Sequence, residues 1–226
     1  MMGFLRVASL SVLLSVGAFS VSAQEMEYKM EIGAMAGGCF YMGDANYSVP
    51  FKNLNFAGGA MARYNLNPRM SLKFDLLYGG ISGATADLGN KFPDGKQWEF
   101  SNSVVDLGCQ YEINFWGYGT GTGYKGNRRF TPYITVGLGF TYASASESVF
   151  TMNVPIGAGV KYKMAERVNI GIEWTMRFSF SDKLDGISDP YGIKGTFLKN
   201  KDSYSFTMFY ISYDIMPRLR KCNNDG

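Results

Sequence analysis

The sequence predicts an all-β fold, a membrane-spanning antiparallel up-and-down β-barrel of eight strands. Three observations carry the prediction. Apolar residues alternate with a period of two through most of the segments that turn signals delimit. No stretch after the N-terminus approaches the roughly 18 to 20 consecutive apolar residues of a helical span, and mean hydropathy is −0.09, as expected when strands hide their apolar residues in alternation. Connections between the segments also alternate short and long, the pattern of barrels with small turns on one membrane face and larger loops on the other.

The 226 residues divide into an export signal over 1–23, a barrel over 24–217 and a basic tail over 218–226. The signal has Arg6 as its positive region, an apolar run over 7–16 too short to cross a bilayer, and Val21, Ser22 and Ala23 before the cleavage point. A formal charge of +3 gives no reason to expect nucleic acid, and 28 glycines with only 7 prolines suit packed β-structure.

The eight strand segments are 28–42, 54–65, 70–82, 98–115, 130–143, 151–163, 168–181 and 203–213. The first two carry Gly33, Gly37 and Gly59 on the polar face. In the third, Met70, Leu72, Phe74, Leu76 and Tyr78 oppose Ser71, Lys73, Asp75 and Gly79. The fourth alternates cleanly from Ser103 to Phe115, but Trp98 and Phe100 have the other parity, which predicts a bulge near Ser101. The fifth (Phe130, Ile134, Val136, Leu138, Phe140, Tyr142) and sixth (Met152, Val154, Ile156, Ala158, Val160, Tyr162) repeat the pattern. The seventh is the clearest, with Val168, Ile170, Ile172, Trp174, Met176, Phe178 and Phe180 on one face. The eighth is ambiguous: Tyr204, Phe206, Met208 and Tyr210 compete with Phe209, Ile211 and Tyr213.

Alternation does not say which face is inside; side-chain volume does. An eight-stranded lumen has room for modest side chains, so the face bearing Trp174 and most Phe, Tyr, Leu and Ile is expected to point outward into lipid. The other face is rich in glycine and carries Lys29, Glu31, Arg63, Lys73, Asp75, Asp106, Glu112, Lys161, Glu173 and Arg177. Unpaired buried charge is costly, so these residues predict a salt-bridged plug rather than an open channel. Outward aromatics sort to the strand ends as a membrane-water girdle, with Tyr28, Tyr64, Phe115, Phe130, Tyr162 and Tyr213 at one end and Phe40, Tyr78, Tyr142 and Phe180 near the other.

Among the connections, 66–69 and 164–167 are short, whereas 83–97 and 182–202 are long. The glycine-rich connection 116–129 falls on the short-turn side yet is long, reading as a flexible loop or a partner-binding feature. That side, taken as periplasmic, gathers Arg69, Lys125, Arg128, Arg129, Lys163, Arg167, Arg218, Arg220 and Lys221 against Glu166, Asp214 and Asp225. Such a basic rim suits an acidic partner or anionic headgroups.

Little points to catalysis. The chain has no histidine, which removes the usual base at neutral pH and the commonest metal ligand. Gly121, Gly123 and Gly126 fit a GxGxxG pattern, but a strand containing Pro132 follows where a dinucleotide site needs a helix. Asp182, Asp185 and Asp189 lack EF-hand spacing. Cys39, Cys109 and Cys222 form no disulfide framework; the first two read as small buried hydrophobes and the third as a tail thiol. The expectation is no enzyme, no cofactor and no metal.

The segments EIGAMAGGCFYMGD (31–44), ARYNLNPRMSLK (62–73), RRFTPYITVGLGFTY (128–142), VPIGAGVKYKMAERVNIGIEW (154–174) and DSYSFTMFYISY (202–213) together resemble the PorG family of Bacteroidota outer-membrane barrels associated with the type IX secretion system. The resemblance implies a Gram-negative outer-membrane protein of OmpA-like size, surrounded by outer-membrane lipid and lipopolysaccharide, that scaffolds periplasmic ring proteins of the PorK and PorN kind. It brings no catalytic residues. Two alternatives stand beside it: an OmpA-like surface barrel whose outer loops bind external ligands or host surfaces, and a barrel that passes small apolar molecules.

Overall fold

A computed structural model describes residues 28–42, 54–84, 99–120, 127–144, 148–180 and 203–217. The signal 1–23, the tail 218–226, Trp98, the GxGxxG glycines and the aspartates of 182–189 lie outside them. Eight antiparallel strands, β1 (Tyr28–Met42), β2 (Asn55–Asn67), β3 (Met70–Ala84), β4 (Glu99–Asn114), β5 (Phe130–Ser144), β6 (Ser148–Lys163), β7 (Val168–Ser179) and β8 (Ser203–Pro217), close into a barrel in chain order. Each strand pairs with its sequence neighbours, and β1 meets β8 with Tyr28 opposite Pro217 and Met42 opposite Ser203. Strands of 12 to 16 residues exceed the roughly 9 to 11 that a tilted strand needs to cross the hydrocarbon layer.

The bulge expected near Ser101 is absent. Pairing of β3 with β4 runs unbroken from Met70 opposite Ile113 to Ala84 opposite Glu99, through Ser82 opposite Ser101. Elsewhere the register shifts between Asn65 and Asn67, where β2 enters its short turn. There the extra residue is Leu66, at the end of β2.

The outer wall is apolar. Trp174 is 45% exposed, Leu138 57% and Phe209 63%, and the outward residues of every other strand share this character. A continuous wall of this kind is stable against hydrocarbon and not against water. Exposed Tyr64, Phe115, Phe130, Tyr162 and Tyr213 ring the short-turn end, and exposed Tyr78, Tyr142 and Phe180 stand toward the other. Phe40 differs, being fully buried. Cys109 also differs from expectation: Cys39 is buried inside, but Cys109 is exposed on the outer wall, because odd positions of β4 point outward.

The restriction of the lumen to modest side chains fails. Tyr133, Tyr204, Phe206 and Tyr210 lie inside together with two arginines. Glycines opposite them supply the space. A Cβ on Gly159 would stand 2.6 Å from the Tyr133 hydroxyl, and one on Gly79 would stand 2.9 Å from the Phe206 ring. In β8 the inward parity is therefore Tyr204, Phe206, Met208 and Tyr210, with Phe209, Ile211 and Tyr213 outward.

Candidate functional site

The lumen is layered. Toward the long-loop end, Met35, Cys39, Ala57, Leu77, Ile81, Val104, Ala143, Phe206 and Met208 form an apolar core inside the barrel. From the short-turn end up to this core, where Arg177 lies 5.1 Å from the Phe206 ring, inward positions on every strand except β5 bring charges together, because odd residues of β1, β2, β3, β6 and β7 and even residues of β4 and β8 share one side of the sheet.

Arg63 anchors the lower cluster, bound to Glu31 at 2.5 Å and Glu112 at 2.8 Å. Lys161 reaches Glu112 at 3.4 Å, and the Ser212 hydroxyl donates to Glu31. The guanidinium lies 5.3 Å from the Tyr210 ring centre. In the upper cluster Lys73 pairs with Glu173 and, at 3.5 Å, with Asp75. Arg177 spans Asp106 and, at 3.2 Å, Asp75. Remaining carboxylate lone pairs accept from neutral donors: Tyr133 on Glu173 at 2.7 Å, Tyr204 on Asp106 at 2.5 Å, Asn153 on Asp106 at 2.7 Å, and Gln110 on Asp75. Every carboxylate has a cation and a second donor, the condition for burying ion pairs without an uncompensated charge.

Of the charged residues expected in this network, only Lys29 stands outside. Although on the inward parity, it is exposed, because it sits one residue from the strand end and its long side chain reaches water. The converse correction concerns Lys163 and Asp214. Expected on the rim, they are buried and paired with each other, and Asn169 donates to Asp214 at 2.8 Å. Their inward parity in β6 and β8 carried that signal.

The connection after β4 turns beneath the barrel. The Tyr118 amide donates to the Pro68 carbonyl at 3.0 Å and its hydroxyl to Asn169 Oδ1 at 2.8 Å. Its ring lies 5.0 Å from the Lys161 ammonium and 5.9 Å from that of Lys163. Tyr118 is thus a stopper in the short-turn mouth, and beside it remains a cavity of about 30 Å³ lined by Glu31, Asn114, Asn127, Lys163 and Asp214, the space of a single water. Burial, reinforced by Glu31, raises the Tyr118 phenol well above its usual range, so it stays a neutral donor. The connection, expected as a flexible loop or a partner-binding feature, is a docked element over its described residues.

Outside the stopper, Arg69, Arg128, Arg129 and Arg167 are exposed. Arg128 covers Trp116 at 5.0 Å, and Trp116 leans on Phe130 at 6.0 Å. Lys125, Arg218, Arg220 and Lys221 fall outside the described residues. Among the described residues no group of three His, Cys, Asp or Glu is placed to hold a metal ion, and the lumen carboxylates are engaged in ion pairs or hydrogen bonds.

A closed eight-stranded antiparallel barrel with an apolar outer wall and a packed polar lumen defines the class of outer-membrane β-barrels. Neisserial surface protein A has a similar fold, with a TM-score of 0.51 at 14% identity, covering 84% of this chain and all of that one. Ail of Yersinia pestis (TM-score 0.45, 12% identity, 85% of this chain and 100% of that one) and outer membrane protein OprG of Pseudomonas aeruginosa (0.45, 11%, 85% and 98%) are also similar. The chain belongs to the DUF6089 family, a domain of unknown function, whose profile matches residues 8–223. No curated protein matches it.

Proposed function

We propose that this barrel is a non-enzymatic anchor in the outer membrane of a Gram-negative bacterium, a PorG-like scaffold that holds a periplasmic partner at its short-turn end. The observation that supports it most is the closed lumen. Ion pairs and aromatic rings fill the interior and Tyr118 covers one mouth, which moves function from a pore to the surfaces at the ends. At the short-turn end, Arg69, Arg128 and Arg129 are exposed, Arg128 over the ring of Trp116, and the chain there is pinned to the barrel by the Tyr118 and Asn114 bonds to the 68–69 turn. A fixed basic surface that includes an aromatic suits an acidic protein face, since little ordering cost remains to be met on binding.

The test is capture in intact cells with a photocrosslinking residue at Trp116. Ring proteins of the PorK and PorN kind are expected in the crosslinked product. They should be lost when Arg69, Arg128 and Arg129 are changed together to Glu. Capture that is unaffected by the charge reversal would remove the docking surface, and a product without such partners would remove the type IX reading.

A further inference from the structure

A second feature lies on the lipid-facing wall, away from the surface assigned to a partner. Two adjacent rows of outward residues cross the sheet. One runs Val168, Tyr213, Ile32, Ala62 and Phe74, and the next runs Ile211, Ala34, Ala60, Leu76 and Leu107. Where most outward positions carry large side chains, the first row carries Ala62 and the second Ala34 and Ala60. The result is an open groove of about 740 Å³, with Ala60 and Ala62 as its floor and Phe74, Leu76, Ile211 and Tyr213 among its walls. Its volume is that of a ligand pocket.

The groove is not level. Val168 opens β7 at the short-turn end, whereas Leu107 lies midway along β4. It therefore climbs from the membrane-water boundary into the apolar band. At its low end sits Arg167, exposed in the 164–167 turn. Its Nε donates to the Tyr28 hydroxyl at 3.2 Å and its Nη1 to the Tyr213 hydroxyl at 3.4 Å, and the guanidinium lies 5.4 Å from the Tyr28 ring centre. Two phenols thus fix the guanidinium in place, yet among the described residues no carboxylate pairs with it. Tyr213 both holds the cation and walls the groove.

We propose that Arg167 and this groove form a site for one phospholipid of the surrounding leaflet, with the phosphate on the guanidinium and an acyl chain laid over Ala60 and Ala62. The guanidinium supplies charge and N–H donors suited to a phosphate, at the depth where headgroups lie. The alanine floor supplies a channel that a flexible chain fills and a bulky wall does not. A purely apolar occupant, such as the wall of a second copy, leaves the cation unmatched. The site rests on the membrane reading alone, so its failure leaves the partner-docking surface standing, and the reverse holds.

The test uses the full chain purified in detergent and native mass spectrometry. Dipalmitoyl phosphatidylglycerol, phosphate-free dipalmitoyl glycerol and inorganic phosphate are added in separate arms. One phosphatidylglycerol per barrel is expected, retained roughly tenfold less well by Arg167→Gln, the scale of one lost charged hydrogen bond, and similarly less by Ala60→Phe, which fills the floor. Dipalmitoyl glycerol should bind the unaltered protein no better than it binds Arg167→Gln. Retention of phosphatidylglycerol by both variants as strong as by the unaltered protein overturns the site. So does inorganic phosphate bound as well as lipid and untouched by Ala60→Phe, which is a free-anion site. A dimer that Ala60→Phe dissolves assigns the groove to a second copy and also overturns the proposal. Heat-dependent migration on gels reports whether each variant is still a barrel, and where one is not, the comparison of the two lipids on the unaltered protein decides.

Discussion

Arg63 holds two carboxylates on different strands, so its loss leaves Glu31 without its cation and Glu112 with Lys161 alone. Breaking a buried pair from one side costs about 3–5 kcal/mol. Arg63→Leu is expected to lose that much in urea unfolding from lipid vesicles, and adding Glu31→Gln and Glu112→Gln should recover part of it. A loss below 1 kcal/mol would mean that water enters the lumen and screens these charges. Gly159 makes a different demand: Gly159→Ala sets a methyl against the Tyr133 ring and hydroxyl. Such overpacking costs roughly 1–3 kcal/mol, and Tyr133→Leu on the same chain should relieve only part of it, because the methyl also stands 2.7 Å from the Ile172 carbonyl. The charges were legible from the sequence because parity alone places them, residue by residue. Lys29 was not, since parity does not report how far a side chain stands from water, and neither was the fit of Tyr133 to Gly159, which depends on a neighbour from another strand.

At the scale of elements, β8 and the β4–β5 connection show where periodicity stops informing. Both faces of β8 are aromatic, so its phase follows from the glycines it meets: Gly79 admits Phe206, and Gly171 admits Tyr210. That complementarity is set between different strands and leaves no trace in the periodicity of either. The connection reads as a flexible loop or a partner-binding feature, yet over its described residues the Tyr118 and Asn114 bonds to the 68–69 turn dock it. Burial raises the Tyr118 phenol above its ordinary value of 10.0, so the docked form keeps a proton that a released loop gives up in alkali. Docking is then at full strength below that value and weakens as pH rises past it. In a variant with Trp98 and Trp174 replaced by Phe, iodide quenching of Trp116 is expected to increase above pH 10, and Tyr118→Phe should abolish the step. A pH profile identical in both proteins would refute the role given to this phenol.

For the whole molecule, the closed eight-stranded architecture was legible from alternation, turn spacing and the lack of any helical span, because each is a local property repeated along the chain. The sealed lumen predicts electrical silence: purified protein in planar bilayers should give no stable conductance of porin size, and a steady open level would contradict the packing of Arg63, Arg177 and Phe206. The pairing of Tyr28 with Pro217 carries a further consequence, for assembly in time. The first strand acquires its second neighbour only from the last, so the wall cannot shut until the entire chain has been delivered. Until then two unsatisfied edges stay open to any other chain, and the longest-range contact in the molecule must form last. A chain that stops before Ser203 has its first seven strands but no means of closing them, and it is expected to accumulate as aggregate or be degraded instead of inserting. Completion of the barrel thereby becomes a check on the integrity of the polypeptide that built it.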